Sequence, residues 1–132
     1  MLDARVVSQA IDRNWRELYD AFWRPEAFPL WASGLSDTSL TMQGDDWTAV
    51  GPGGPVTIRF SPCNDYGVMD HWVEIDGGQV VYVPLRIVAN GPGALVQLTL
   101  FRQPGMSDDE YARDAALVSR DLACLKTLAE AG

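Results

Sequence analysis

The residues with the most evident chemical potential stand side by side near the middle of the chain, at Asp70 and His71. His71 is the only histidine in the sequence, and an imidazole that faces a cavity is the best general base available near neutral pH. Asp70 is open to two interpretations: it contacts a ligand, or it forms a structural salt bridge with Arg86 or Arg59. Because adjacent side chains of a strand point to opposite faces, Asp70 and His71 cannot form an acid–base pair with each other.

Aromatic and basic side chains supply the other candidates for a binding site. Tyr82, Arg86 and Tyr66 could place a second polar group beside Asp70 or His71, as an enzyme that stabilises an enolate requires. The tryptophans at positions 15, 31, 47 and 72 are more typical of a core or a cavity wall than of a cofactor site. No catalytic residue is identified, and the candidate ligand-binding residues are Asp70, His71, Trp72, Trp15, Tyr19, Tyr82 and Arg86.

Neither metal binding nor reactive thiols are indicated. Cys63 and Cys124 are the only cysteines, and neither has an identifiable charged neighbour that would activate its thiol. Two cysteines and one histidine do not suffice for a tetrahedral nitrogen and sulfur site. The glycine-rich run at 51–55 contains prolines and precedes a strand, so it predicts a hairpin turn and not a phosphate loop. We predict no metal and no cofactor.

Length and charge narrow the class of partner. The 132 residues fit one domain spanning 1–132, with enough apolar residues for a core without disulfides. The formal net charge of -8 opposes binding to nucleic acid and to anionic membrane surfaces. The first residues lack the basic and apolar regions of a signal peptide, and no apolar run reaches membrane-spanning length. We expect a cytoplasmic protein that is a monomer or a homodimer.

Apolar spacing predicts a strand, two helices and then a run of strands. Residues 4–11 are typical of a strand, and Asp12 is the predicted N-cap of a helix that carries Trp15, Leu18, Tyr19 and Phe22 on one face. Pro25 ends that helix or opens a second, short one, which Gly34 closes. From residue 38 the apolar period is two, which predicts strands at 39–42, 47–50, 56–60, 67–76, 79–90 and 94–102.

The last segment is the clearest helix. Ser107 and Glu110 fit a capping box, and the acidic first turn favours the positive end of the helix dipole. The helix is predicted from Ser107 to about Ala129, with its apolar stripe packed against the sheet. That stripe consists of Tyr111, Ala115, Val118, Leu122, Leu125 and Ala129.

The inward face of the 67–76 strand has two interpretations. Val83 and Leu85 are predicted to point inward. A two-residue turn at Gly77-Gly78 would pair Asp76 with Gln79 and place Asp70 on that same inward face. The alternative places Met69, His71, Val73 and Ile75 inside, which buries more apolar surface. A bulge near Pro84 would exchange the two arrangements, and the sequence leaves both open.

Several stretches resemble the helix-grip superfamily, which includes START-type lipid carriers, the birch-pollen allergen family and polyketide cyclases. They are 7–18, 66–73 followed by 83–88, and 101–107, where the chain is similar to bacterial cyclase/dehydrase or START-like members. The resemblance implies an α+β fold in which a curved antiparallel sheet wraps a long C-terminal helix and leaves a cavity between them. Members carry lipids, hormones or polyketides, and some catalyse ring closure. They share no single catalytic motif, so no catalytic residue is transferred.

Three functions follow as hypotheses. The leading one is the binding of a small hydrophobic or amphipathic molecule in a cavity under the long helix, with Asp70 or His71 orienting it. The second is a cyclase- or dehydratase-like enzyme, and the third is a protein-interaction domain without a ligand. The cavity is predicted to lie among the long helix, the first helix around Trp15 and Tyr19, and the strands at 70–72 and 83–87.

Overall fold

The computed structural model of the protein describes residues 1–32, 40–51, 54–75 and 78–132. The elements follow the predicted order, and the α+β class predicted from the sequence is confirmed. Some predictions lie outside the described residues: the helix end at Gly34, the start of the 39–42 strand, and parts of the turns at 51–55 and 77–78. In chain order the elements are β1 (Ala4–Ile11), α1 (Trp15–Phe22), a 3-10 helix (Pro25–Leu30), β2 (Thr41–Gln43), β3 (Asp46–Gly51), β4 (Gly54–Phe60), β5 (His71–Ile75), β6 (Val80–Val83), β7 (Leu85–Asn90), β8 (Gly93–Phe101) and α2 (Asp108–Ala131).

The described strands form two antiparallel sheets that are joined to each other. One has the order β2-β3-β4-β5-β6 and the other β1-β8-β7. The residues before β5 make the join, because Met69 N–H donates to Leu85 O (2.8 Å) and Ile87 N–H donates to Gly67 O (2.9 Å). Gly67 has a φ of 71°, and a Cβ at this position would clash with the carbonyl oxygen of Ile87. Only glycine therefore allows the chain to approach β7 here.

The single strand predicted at 79–90 is interrupted at Pro84, which separates β6 from β7. Proline has no N–H to donate to a ladder, so a break at this position follows from its chemistry. The register is nevertheless the same on both sides of the break, since His71 lies opposite Val83 and Val68 lies opposite Arg86. The bulge considered from the sequence is therefore absent between these pairs.

The register of the β5–β6 pair decides which side chains face inward. Ile75 N–H donates to Gln79 O (2.9 Å), and Val73 lies opposite Val81. Asp76 lies outside the described residues, but the described pairs have a register that differs by one residue from the one that a pairing of Asp76 with Gln79 would set. A shift of one residue exchanges the two faces of a strand. The inward set is the alternative one, namely Met69, His71, Val73 and Ile75, and Asp70 and Trp72 belong to the outer, convex face.

The long helix packs along β1 and β8 as its stripe predicted. Ala115, Leu122, Leu125 and Ala129 are buried, and Tyr111 Oη donates to the carbonyl oxygen of Leu100 (2.8 Å) in β8. The predicted capping box between Ser107 and Glu110 is present in both directions. Within the described residues, neither helix is long and apolar enough to cross a membrane.

The first helix starts slightly later than predicted. Asn14, and not Asp12, is its N-cap, because Asn14 Oδ1 accepts the N–H groups of Arg16 (2.9 Å) and Glu17 (3.2 Å). Asp12 instead donates its own N–H to the Glu130 carboxylate in α2 (2.8 Å). This bond ties the end of β1 to the end of α2.

Candidate ligand-binding groove

The interior beneath α1 is filled. Leu18 and Tyr19 are completely buried against the sheet, and Tyr19 Oη accepts the N–H of Asn64 (2.9 Å). The space that remains beside Tyr19 is about 10 Å³, enough for no more than one water molecule. Trp15 is partly buried and packs against this same core. The part of the interior where a cavity was predicted around Trp15 and Tyr19 is thus occupied by side chains.

Asp70 closes the break between β6 and β7 from the convex face. Its Oδ1 accepts the Leu85 N–H (2.9 Å), which is the first donor after Pro84. Arg86 donates to both carboxylate oxygens (3.2 and 2.9 Å), and Tyr82 Oη donates to Oδ2 (2.7 Å). The salt bridge with Arg86 considered from the sequence is present, whereas Arg59 pairs with Asp46 instead (3.1 Å).

The titration of this cluster follows from its hydrogen bonds. Burial acts to raise the pKa of Asp70, but the donors from Arg86, Tyr82 and the Leu85 amide outweigh it and hold the pKa below its ordinary value. The hydrogen bonds to Asp70 in turn raise the pKa of both Arg86 and Tyr82, and the negative charge of Asp70 raises them further. These shifts favour an ionised Asp70, a charged Arg86 and a protonated Tyr82 hydroxyl, which are the states in which the three groups bind each other.

His71 points inward and is enclosed by rings. It lies 4.9 Å from Phe28 and 5.9 Å from Phe60, measured between ring centroids. Its Nδ1 lies 3.2 Å from the carbonyl oxygen of Met69; a carbonyl only accepts, so Nδ1 carries the proton. Burial lowers the pKa of His71 to about 4, against the opposing effects of the Met69 bond and the Asp70 charge. The imidazole is therefore neutral at pH 7.

The side chains of Asp70 and His71 together replace one backbone hydrogen bond of the sheet. Met69 and Leu85 lie opposite each other, and such a pair normally exchanges two backbone hydrogen bonds. Here only Met69 N–H to Leu85 O is formed. The Leu85 N–H goes to Asp70 and the Met69 carbonyl receives the His71 ring. Each side chain satisfies a backbone group that the break would leave unpaired.

An open groove lies at the other end of the concave face, beside the first turns of α2. Its volume is about 410 Å³. The floor is apolar and comes from the inward positions Val73, Ile75 and Val81 together with Leu100. The remaining wall consists of Gln79, Phe101, the loop 103–106, Glu110 and Asp114.

The carboxylate of Asp114 is the one charged group of this wall without a hydrogen bond or ion pair from a described residue. Burial raises the pKa of Asp114, and the negative charge of Glu110 one turn earlier raises it further, against the opposing charge of Arg113. Glu110 itself accepts the Ser107 N–H (3.1 Å). Gln79 and Gln103 bind each other across the rim (3.0 Å).

The seven candidate residues named from the sequence lie outside this groove. Asp70, Tyr82 and Arg86 form the convex cluster, and His71 is sealed in the core. Trp72 is exposed, stacks on Tyr82 with 5.2 Å between ring centroids, and borders a convex depression of about 330 Å³. Ligand contact by any of the seven stays a prediction. Sequence reasoning missed Asp114, whose signal was an acidic residue directly beside the apolar stripe of the last helix.

No family model matches the chain, and no curated protein sequence is significantly similar to it. Solved structures nevertheless share its architecture. A START superfamily protein from Mycobacterium smegmatis superposes with a TM-score of 0.73 at 11% identity, over 96% of this chain and 97% of that one. The Aha1 dimer protein from Colwellia psychrerythraea gives 0.75 at 11%, over 98% and 97%. An uncharacterized protein from Bacillus thuringiensis gives 0.75 at 16%, over 96% and 98%.

These likenesses concern the fold, because the identities are low. The START-type helix-grip fold that the sequence resemblance implied is thereby confirmed for this chain.

Proposed function

We propose that this helix-grip chain binds a small hydrophobic or amphipathic molecule in the groove between the start of α2 and the β5–β6 pair. The observation that carries the proposal is the open apolar floor of Val73, Ile75, Val81 and Leu100. Ile75 is 41% exposed although it belongs to the inward face. An apolar ligand that covered this floor would gain about 0.8 kcal/mol for each methylene it buries.

The geometry of the fold accounts for the location of the groove. α2 lies along β1 and β8, whereas β5 and β6 belong to the other sheet. A helix packed closely on one part of a curved sheet leaves space above the part that curves away. The groove lies within the region between helix and sheet that the resemblance implied, but nearer to the beginning of α2 than the sequence indicated.

A cyclase- or dehydratase-like enzyme is the alternative proposal. Such chemistry needs a base and an oxyanion donor that converge on one substrate atom. Asp70, Tyr82 and Arg86 do converge, but they satisfy one another on the convex face. This arrangement favours the binding proposal. A protein-interaction domain is the third proposal, and the exposed Trp72 and Tyr82 are where it would act.

The test fills the groove. Val81→Trp places an indole on the inward face, while the matched control Val80→Trp places one on the outward face of the same strand. Binding of the neutral dye Nile red is followed by its fluorescence. We expect Val81→Trp to weaken binding at least about ten-fold and Val80→Trp to leave it unchanged, because only the first occupies the apolar floor.

Two results would oppose the proposal. Undiminished binding by Val81→Trp would show that the dye does not use the groove. Loss of binding in Val80→Trp alone would place the dye in the convex depression, which Val80 and Trp72 border.

We also propose that residues 1–132 form one ligand-binding domain that acts in the cytoplasm as a monomer or a homodimer. The end-to-end likeness to a START superfamily structure supports a single domain. The solution structure of a dimer with the same fold supports a homodimer. Light scattering after size-exclusion chromatography measures the oligomeric state directly.

A further inference from the structure

We propose that the preferred ligand of the groove is an amphipathic cation, an apolar chain or ring with an ammonium-type head, and that Asp114 is its counter-ion. This inference rests on the proposed function, because it assigns the chemical class of the molecule that occupies the same groove. It concerns a residue of α2 that does not belong to the apolar stripe of that helix.

Asp114 contrasts with three acidic residues of its helix that have partners. Asp108 is paired with Arg102, Glu110 with the Ser107 amide, and Glu130 with Lys126. Within the described part of the chain, the Asp114 carboxylate receives no hydrogen bond and no ion pair. A partly buried carboxylate without a partner is costly to maintain, which makes it a candidate for contact with a ligand.

The polarity of the groove wall also favours a cation. Among the described residues that line it, none is lysine, arginine or histidine. Glu110 and Asp114 lie one turn apart on the helix, and like charges at this spacing repel each other. A bound ammonium would relieve that repulsion, whereas a carboxylate or sulfate head would increase it. The amide groups of Gln79 and Gln103 already bind each other.

The charge and the apolar floor belong to one groove. Asp114 lines the same space as Val73, Ile75 and Val81. A molecule whose tail covers the floor therefore has its head near the carboxylate. Burial of the apolar tail holds the head group near the carboxylate. Forming the ion pair therefore costs less conformational entropy than forming an exposed salt bridge does.

The experiment uses octylamine, octanol and nonanoate, which share an eight-carbon tail and differ in the charge of the head at neutral pH. Isothermal titration calorimetry of the full chain measures the affinity for each. We expect octylamine to bind about five-fold more tightly than octanol and nonanoate to bind most weakly, as a partly exposed charge contact allows. The preference for the amine should decrease as salt is added.

Two variants distinguish a local contact from the overall acidity of the protein. Asp114→Asn should reduce the octylamine-to-octanol affinity ratio to about one, because the counter-ion is lost. Asp109→Asn removes the same formal charge from the first turn of α2, at a residue that does not line the groove. We expect Asp109→Asn to retain the ratio of the unmodified protein.

The outcomes separate this inference from the proposal on which it rests. Failure of all three probes to bind would refute both. Equal binding of octanol and octylamine would refute the cationic ligand and leave the groove as an apolar site, and a ratio that survives in Asp114→Asn would refute Asp114 as the counter-ion. A ratio lost equally in Asp109→Asn and Asp114→Asn would assign the preference to net charge and overturn the role of Asp114.

Discussion

The break at Pro84 and the groove beside α2 each contain a carboxylate, and the surroundings of these two carboxylates are opposite in character. Asp70 accepts hydrogen bonds from Tyr82, Leu85 and Arg86, and its pKa is lowered. Asp114 receives none from the described residues, and burial together with Glu110 raises its pKa. Burial acts in the same direction on both groups, so the donors around Asp70 cause the difference.

The difference between the two carboxylates distinguishes a group that supports the fold from one that is available to a ligand. A carboxylate whose acceptor sites are used within the protein has little capacity left for a ligand, while its removal strands the donors that it holds. A carboxylate without donors contributes little to the fold and is available to an incoming cation. The same chemical group therefore stabilises one region of this molecule and leaves another ready to bind.

The largest effect is expected at the break itself. Asp70→Leu should lower the free energy of unfolding by about 3 kcal/mol, since the Leu85 N–H, the Tyr82 hydroxyl and the Arg86 charge lose their acceptor. Urea denaturation monitored by circular dichroism measures the change. The matched control is Asp65→Leu, which removes a carboxylate that pairs with Arg16 while its side chain is 84% exposed. We expect the control to change stability by less than about 0.5 kcal/mol, and similar losses in the two variants would contradict a structural role for Asp70.

The second effect is the pH dependence that His71 imposes. Its pKa is about 4 in the folded protein, below the ordinary value of 6.5, so the unfolded chain binds more protons between these values. The His71 contribution to stability is complete above pH 6.5 and is lost as the pH falls toward about 4. Between pH 7 and pH 5 the loss should be about 2 kcal/mol. In His71→Leu the stability should depend much less on pH over this interval; an unchanged dependence would assign the proton to another group.

The smallest expected change in stability is an increase. Asp114→Asn should raise the free energy of unfolding by about 0.5 kcal/mol, because the repulsion from Glu110 is removed and no described partner is lost. Asp109→Asn should instead destabilise slightly, because Asp109 lies in the first turn, where negative charge favours the helix dipole. Thermal denaturation of the two variants gives the signs. Destabilisation by Asp114→Asn would mean that the carboxylate supports the fold, and the contrast with Asp70 would then fail.

Prediction from the sequence succeeded where a pattern is local. The capping box at Ser107 and the stripe that includes Leu122 lie on one helix, and their spacing reflects the helical repeat alone. The site prediction concentrated on residues with evident chemistry and so selected Asp70 and Tyr82, which the fold uses for its own hydrogen bonds. Asp114 was overlooked because its lack of a partner depends on what the sheet brings near it.

The sequence by itself determined the order of elements and the long helix with its buried stripe. These properties follow from side-chain periodicity, which acts within a few residues. The tertiary structure decided the inward face of the strand that begins at His71, since a register shift of one residue exchanges the two faces. It also decided that the interior beside Tyr19 is filled while the floor at Val81 stays open. Filled and open volumes depend on the curvature of the whole sheet against the helix, and no stretch of sequence contains that curvature.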